Sequence, residues 1–160
     1  MWAFGLAAAI LALDQATKFL VQTTMVRNQS LEVAGDLLKI TYIHNPSAAF
    51  GLSIGSVMFY IIFSVVASIV VVFYLLRLPK SEYWPRIALA MILAGAIGNL
   101  IDRLRLGEVV DFIQIGLSEN LIWPIFNVAD MGVSVGVTLL LFYYLVSGEP
   151  SPEADDARTR

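Results

Sequence analysis

Residues 54–76 read IGSVMFYIIFSVVASIVVVFYLL. No Asp, Glu, Lys, Arg or His interrupts this run, and it exceeds the roughly 20 residues that cross a hydrocarbon core as helix. It is therefore a transmembrane helix. Three further apolar stretches lie around it: Trp2 to Met25, interrupted by Asp14 and Lys18; Trp84 to Ile101, rich in small residues; and Trp123 to Val146, which contains Asn127 and Asp130. The expected fold is an all-α polytopic membrane protein with four transmembrane helices. The first stretch is a retained span, because Met1 to Asp14 lacks the basic residues of a cleavable signal peptide.

Composition agrees. The chain is 58% hydrophobic and 14% charged, with mean hydropathy +0.77, against about 25% charged residues in soluble domains. A net charge of −3 makes nucleic acid an unexpected partner. The absence of cysteine removes disulfides, thiolate nucleophiles and cysteine metal sites. His44, the single histidine, cannot build a zinc site alone. It is expected to be a loop or interface residue.

Three connections join the spans. Arg27–Ser53 is long and polar, and within it Leu37-Leu-Lys-Ile-Thr-Tyr-Ile43 alternates and is β-branched, so a small sheet is expected. Arg77–Arg86 is short, with Arg77, Lys80 and Arg86 favouring the cytoplasm. Arg103–Ile122 contains Asp111. Four spans then place both termini in the cytoplasm. The expected organisation is a membrane domain over 1–147, extracytoplasmic loops at about 26–53 and 104–122, and a disordered cytoplasmic tail over 148–160. Ala90, Ala94 and Gly98, and Gly132 and Gly136, recur at the spacing that lets helices approach closely.

Ionisable groups inside spans are expensive and point to function. Asp14 and Lys18 lie one helical turn apart; they read either as a self-neutralising pair near an interface or as part of a site. Asn99 and Arg103 share one helical face, and so do Asn127 and Asp130. If these faces meet, they make either a polar pocket or a hydrogen-bonded network that fixes helix register. Asp102, on a different face from Arg103, reads as an interfacial charge. Asp111 sits in Val109-Val-Asp-Phe-Ile113, an apolar setting. Two such carboxylates brought together share a proton. One ionised and one neutral carboxyl is what water-mediated peptide hydrolysis needs. Spacing alone does not bring them together. A small transporter using Asp14, Lys18 and Asp130, or a non-catalytic scaffold, stays open on these residues. Glycine-rich phosphate and dinucleotide loops and a serine-nucleophile elbow are absent.

Five segments in order resemble the bacterial lipoprotein signal peptidase family, also called signal peptidase II. They are Asp14-Gln-Ala-Thr-Lys18, Asn45-Pro-Ser-Ala-Ala-Phe-Gly51, Ala94-Gly-Ala-Ile-Gly-Asn-Leu-Ile-Asp-Arg103, Val109-Val-Asp-Phe112 and Phe126-Asn-Val-Ala-Asp130. The resemblance covers about Leu11 to Val137. It implies a cytoplasmic-membrane aspartyl endopeptidase with a small extracytoplasmic β-sheet. It implies that Asp111 and Asp130 form the catalytic dyad, that Asn45, Asn99, Arg103 and Asn127 shape the pocket, and that Asp14 and Lys18 support it. The implied substrates are lipid-modified prolipoproteins, met among membrane lipids and cut just before the diacylglyceryl-cysteine. The implied inhibitor is globomycin. Neither cofactor nor metal is needed, and a monomer suffices. Two positions depart from the family's pattern, which has glycine at Ser47 and Ala94. If the backbone at Ser47 takes positive φ, serine there costs about 1–2 kcal/mol.

Overall fold

A computed structural model describes residues 2–46, 56–118 and 121–147. Ser47 and the tail 148–160 lie outside the described residues. Four long helices carry the chain: α1 (Trp2–Thr24), α2 (Val57–Arg77), α3 (Tyr83–Leu106) and α4 (Val128–Ser147). All four are long and apolar enough to cross a membrane. Between them lie β1 (Ser30–Ala34), β2 (Leu38–Asn45), β3 (Val109–Ser118) and the two-residue β4 (Leu121–Ile122). The strands pair antiparallel in the order β1-β2-β3-β4.

Helix α3 is the hub and packs on α1, α2 and α4. Its small residues make this possible. Ala88 and Ala90 are fully buried and Ala94 nearly so. A Cβ on Gly95 would collide with the backbone carbonyl of Ala129, and one on Gly136 would lie 2.7 Å from the Ala88 carbonyl. Gly95, Gly132 and Gly136 therefore mark the α3–α4 seam, whereas Ala90 and Ala94 of the expected stripe pack with Ala3 and Ala7 of α1 and Val71 and Leu75 of α2. Phe63, Leu76 and Leu145 point outward with 65%, 70% and 83% exposure, an arrangement that only lipid satisfies at membrane depth.

The helix ends differ from the expected spans for physical reasons. Helix α3 runs five residues past Ile101, because Arg103 and Arg105 are good helix formers whose charge suits a helix C-terminus. Gly107, at φ 74°, then ends it. Arg86, expected among the loop cations, is buried in the first turn of α3. That helix begins before Pro85, a residue tolerated in a first turn. Its Nη1 donates to the Leu75 carbonyl at 2.9 Å and so caps α2. Helix α4 begins at Val128 rather than at Trp123, since Pro124 disfavours helix for the residue before it.

The expected sheet is present and larger than the alternating stretch 37–43 suggests. Strand β3 is the unforeseen member. Its β-branched residues Val109, Val110, Ile113 and Ile115 pair along β2, with Ile43 opposite Asp111 and Asn45 opposite Val109. A second apolar cluster of Val21, Tyr42, Val110 and Phe112 fastens this sheet to the end of α1.

Candidate active site

The sequence-predicted residues converge where α3, the start of α4 and β3 meet. Asp111 and Asp130 line one cavity of ≈ 250 Å³ together with Asn45, Asn99 and Arg103. The rest of the lining is apolar apart from Ser134: Val109, Trp123, Pro124, Ile125, Phe126, Met131 and Val135. Two carboxylates thus share one cavity with a largely apolar lining.

Each carboxylate is held by amides. Asn127 Nδ2 donates to Asp111 Oδ1 at 2.7 Å, and Asn45 Nδ2 donates to Asp111 Oδ2 at 2.8 Å. Asn99 Nδ2 donates to Asp130 Oδ1 at 2.8 Å, and the Asn127 backbone N–H donates to Asp130 Oδ2 at 3.2 Å. Asn127 Oδ1 accepts the Asp130 backbone N–H at 2.9 Å. The two residues therefore form a reciprocal capping box at the start of α4. This corrects the expectation that Asn127 and Asp130 share a helical face: Asn127 precedes the helix and caps it. A residue in that role ties the two carboxylates together: its side-chain amide holds Asp111 and its backbone N–H holds Asp130.

Beneath this layer lies a buried ion cluster. Lys18 Nζ is 3.0 Å from Asp14 Oδ2 and 2.8 Å from Asp102 Oδ2, and it donates to Asn99 Oδ1 at 3.0 Å. The Asp14–Lys18 pair exists, but within the protein and with a third member. Asp102, read from sequence as interfacial, is 1% exposed. It also accepts the Val110 backbone N–H at 3.1 Å. The missed signal was its three-residue spacing from Asn99, which puts both on one face. Asp14 Oδ1 accepts the Ala129 N–H at 2.8 Å, satisfying an otherwise orphan donor of α4. Gln15, also unforeseen, donates to Asp14 Oδ2 at 3.1 Å and to the Gly98 carbonyl at 3.3 Å. Gly98 is required here: a Cβ would sit 2.6 Å from Asp14 Oδ2.

Arg103 lies over the Tyr60 ring, 5.2 Å from its centroid, and its Nη1 donates to the Asn99 carbonyl at 3.4 Å. Its side chain lines the same cavity. His44 is on a strand, not in a loop; Tyr42 and Glu108 hold it at 2.7 and 2.9 Å. Among the described residues, no three His, Cys, Asp or Glu side chains gather as a metal ion would need.

Burial pushes the Asp111 carboxyl up to about 7, the negative charge of Asp130 adds to this, and the Asn45 and Asn127 amides oppose it. Asp111 is thus poised to exchange a proton near neutral pH, beside a second carboxylate lining the same cavity. Such a pair can deprotonate a water and protonate a carbonyl in the same step.

A family model described as Signal peptidase (SPase) II matches residues 6–146. The chain is 41% identical over 149 residues to the lipoprotein signal peptidase of Moorella thermoacetica, covering 92% of this chain and 96% of that one. It is 45% identical over 133 residues to that of Geobacter sulfurreducens, covering 81% and 82%. Among solved structures, a bacterial membrane enzyme determined by the in meso method at 2.3 Å superposes with TM-score 0.83 at 34% identity. That match covers 89% of this chain and 87% of the other.

Proposed function

We propose that this chain, which belongs to the signal peptidase II family of aspartic-type peptidases, removes signal peptides from diacylglyceryl-modified prolipoproteins with Asp111 and Asp130 as its catalytic pair. The observation that carries the mechanism is that both carboxylates line one cavity and both accept from Asn127. The ionised carboxylate takes a proton from a water whose oxygen attacks the scissile carbonyl carbon. The neutral carboxyl gives its proton to the carbonyl oxygen, leaving a tetrahedral diol. As the C–N bond breaks, the diol returns one hydroxyl proton to the carboxylate, and the carboxyl that took the water's proton passes it to the leaving amine of the cysteine. The proton count balances, and the pair ends as it began. The starting proton belongs to the pair rather than to either residue.

Asn45, Asn99 and Asn127 hold the carboxylates, Arg103 binds the substrate backbone, and Asp14 and Lys18 support the site from below. Cleavage falls on the N-terminal side of the lipidated cysteine, with the lipid remaining in the bilayer beside the apolar wall of Trp123, Met131 and Val135. A lipid-anchored substrate requires such a site, with the polar groups facing protein and the apolar ones facing lipid.

The membrane is the cytoplasmic one, with both termini inside. Residues 1–147 form the peptidase domain, the loops at about 26–53 and 104–122 lie outside, and 148–160 form a cytoplasmic tail. Arg77 and Lys80 between α2 and α3 support this orientation. The stacking of Trp2 on Tyr83 at 4.8 Å supports it too, since it sets the start of α1 at the same end. A monomer suffices, and globomycin is expected to compete with substrate. The test is to incubate the purified protein with a diacylglyceryl-modified prolipoprotein and with its unmodified form. Release of the signal peptide from the modified form alone is expected; no release from either contradicts the assignment.

A further inference from the structure

Strand β2 ends at Asn45, which reaches Asp111. Side chains alternate along a strand, and directly paired residues share a face. Ile43 and Asn45 therefore lie on the Asp111 face, and Tyr42 and His44 on the other with Val110. On that other face His44 is gripped from both sides. Its Nε2 meets Tyr42 Oη at 2.7 Å, and its Nδ1 meets Glu108 Oε2 at 2.9 Å. Arg27 Nη2 reaches the same Glu108 oxygen at 3.3 Å. Glu108 stands between Gly107, where α3 ends, and Val109, where β3 begins. The bridge thus ties the end of β2 to the point where α3 hands over to β3.

We infer that His44 is a positioning residue for the reaction, holding the end of β2 against the α3–β3 junction so that Asn45 keeps its amide on Asp111. This rests on Asp111 being one of the two reacting carboxylates. The bridge survives either charge state of the ring. Neutral His44 donates from Nδ1 to Glu108 and accepts from the Tyr42 hydroxyl at Nε2. Protonated His44 donates to both. The groups facing the ring are Tyr42, Glu108 and Arg27. A strand end is where pairing frays most readily, and an amide moved about an ångström outward from 2.8 Å no longer makes its hydrogen bond. Asn45 is one of two amides that oppose the rise in Asp111 proton affinity. Loosening it therefore moves the pH dependence of cleavage as well as its rate.

The experiment compares His44→Ala, Glu108→Ala, Asn45→Ala and the His44→Ala/Asn45→Ala double variant, in full-length protein, on a diacylglyceryl-modified prolipoprotein. His44→Ala should lower kcat about tenfold, short of the ~10²-fold that a 1 Å misplacement can cost, and leave KM within about twofold. Its pH–rate midpoint should move upward, in the direction Asn45→Ala moves it. The double variant should be no slower than Asn45→Ala alone, because His44 acts through Asn45. Glu108→Ala leaves β2 unaltered and should give the same pattern at smaller amplitude, so it carries the test if His44→Ala fails to fold. Multiplicative losses in the double variant, or wild-type kcat in His44→Ala or Glu108→Ala, overturn the inference. Full activity of Asp111→Asn would instead overturn the reading on which it rests.

Discussion

Lys18→Met keeps the length and apolar stem of the side chain and deletes its charge. Lys18 is 1% exposed and bridges Asp14 at 3.0 Å, Asp102 at 2.8 Å and Asn99 at 3.0 Å. Removing one member of a buried ionic group costs about 3–5 kcal/mol, most of it from the partner left uncompensated. Here two carboxylates lose their cation, but each keeps other donors: Asp14 has the Ala129 N–H and Gln15, and Asp102 has the Val110 N–H. The cost should therefore fall near the lower bound, about 3 kcal/mol. For a chain of this size that corresponds to a fall of roughly 6–12 °C in apparent Tm. Tryptophan fluorescence during heating in detergent reads it directly. Neutralising a stranded carboxylate should return part of the loss, so Lys18→Met/Asp102→Asn should melt above Lys18→Met. A fall of less than about 2 °C for Lys18→Met would mean that water reaches the cluster. The account of it as the buried floor of the site would then be wrong.

Asp111 titrates at about 7 in the fold against 3.8 as a free side chain, so between those values the folded protein holds a proton that the unfolded chain has lost. The stability from this group is complete below pH ~4 and is lost as pH rises through about 7. Asp111→Asn should therefore melt above the parent at pH 8 and lose that advantage at pH 4; the same melting difference at both values refutes the shift. Gly136→Ala should lower Tm although alanine gains about 1 kcal/mol of helix propensity. Its Cβ would meet the Ala88 carbonyl at 2.7 Å and Ile92 Cγ1 at 2.8 Å, and overpacking of this kind costs about 1–3 kcal/mol; a raised Tm would show that α3 and α4 separate freely. Asn127→Ala should cost only about 1–2 kcal/mol as a lost helix cap and hydrogen bond. It should nevertheless abolish most peptide cleavage, because the side chain holds the Asp111 carboxylate and also accepts the Asp130 backbone N–H that fixes where Asp130 starts; activity tracking the melting point alone would contradict this.

The four helices were legible because hydrophobic length is a strong local signal, and residues 54–76 carry it without interruption. Helix ends were less legible, since Asn127 and Arg103 obey capping and dipole rules that operate within the apolar boundary. The sheet was half visible. The alternating Leu37–Ile43 announced β2, whereas Val109–Ser118 reads as a generic apolar run until β2 is there to pair with it. Within the site, same-face spacing found Asn99 with Arg103, and Asp14 with Lys18. It could not bring Asp111 to Asp130, because their meeting depends on strand pairing and on Asn127 reaching across from a helix start. The ordered motif resemblance supplied that juxtaposition. Asp102 was lost by treating a charge at a span's end as solvated; its partner Lys18 lies 84 positions earlier, and only helix packing joins them.

The central claim is that Asp111 and Asp130 act as one unit on a lipidated precursor. Its most direct measurement is the single-turnover rate of signal-peptide release by Asp111→Asn, Asp130→Asn and the double variant. Each protein is first shown to be folded by its melting transition. Either single change should remove at least the ~10²–10⁴-fold that acid–base catalysis contributes, and the double variant should be hardly slower than the singles. A single variant that cleaves at the parent rate, or losses that multiply in the double variant, would contradict it.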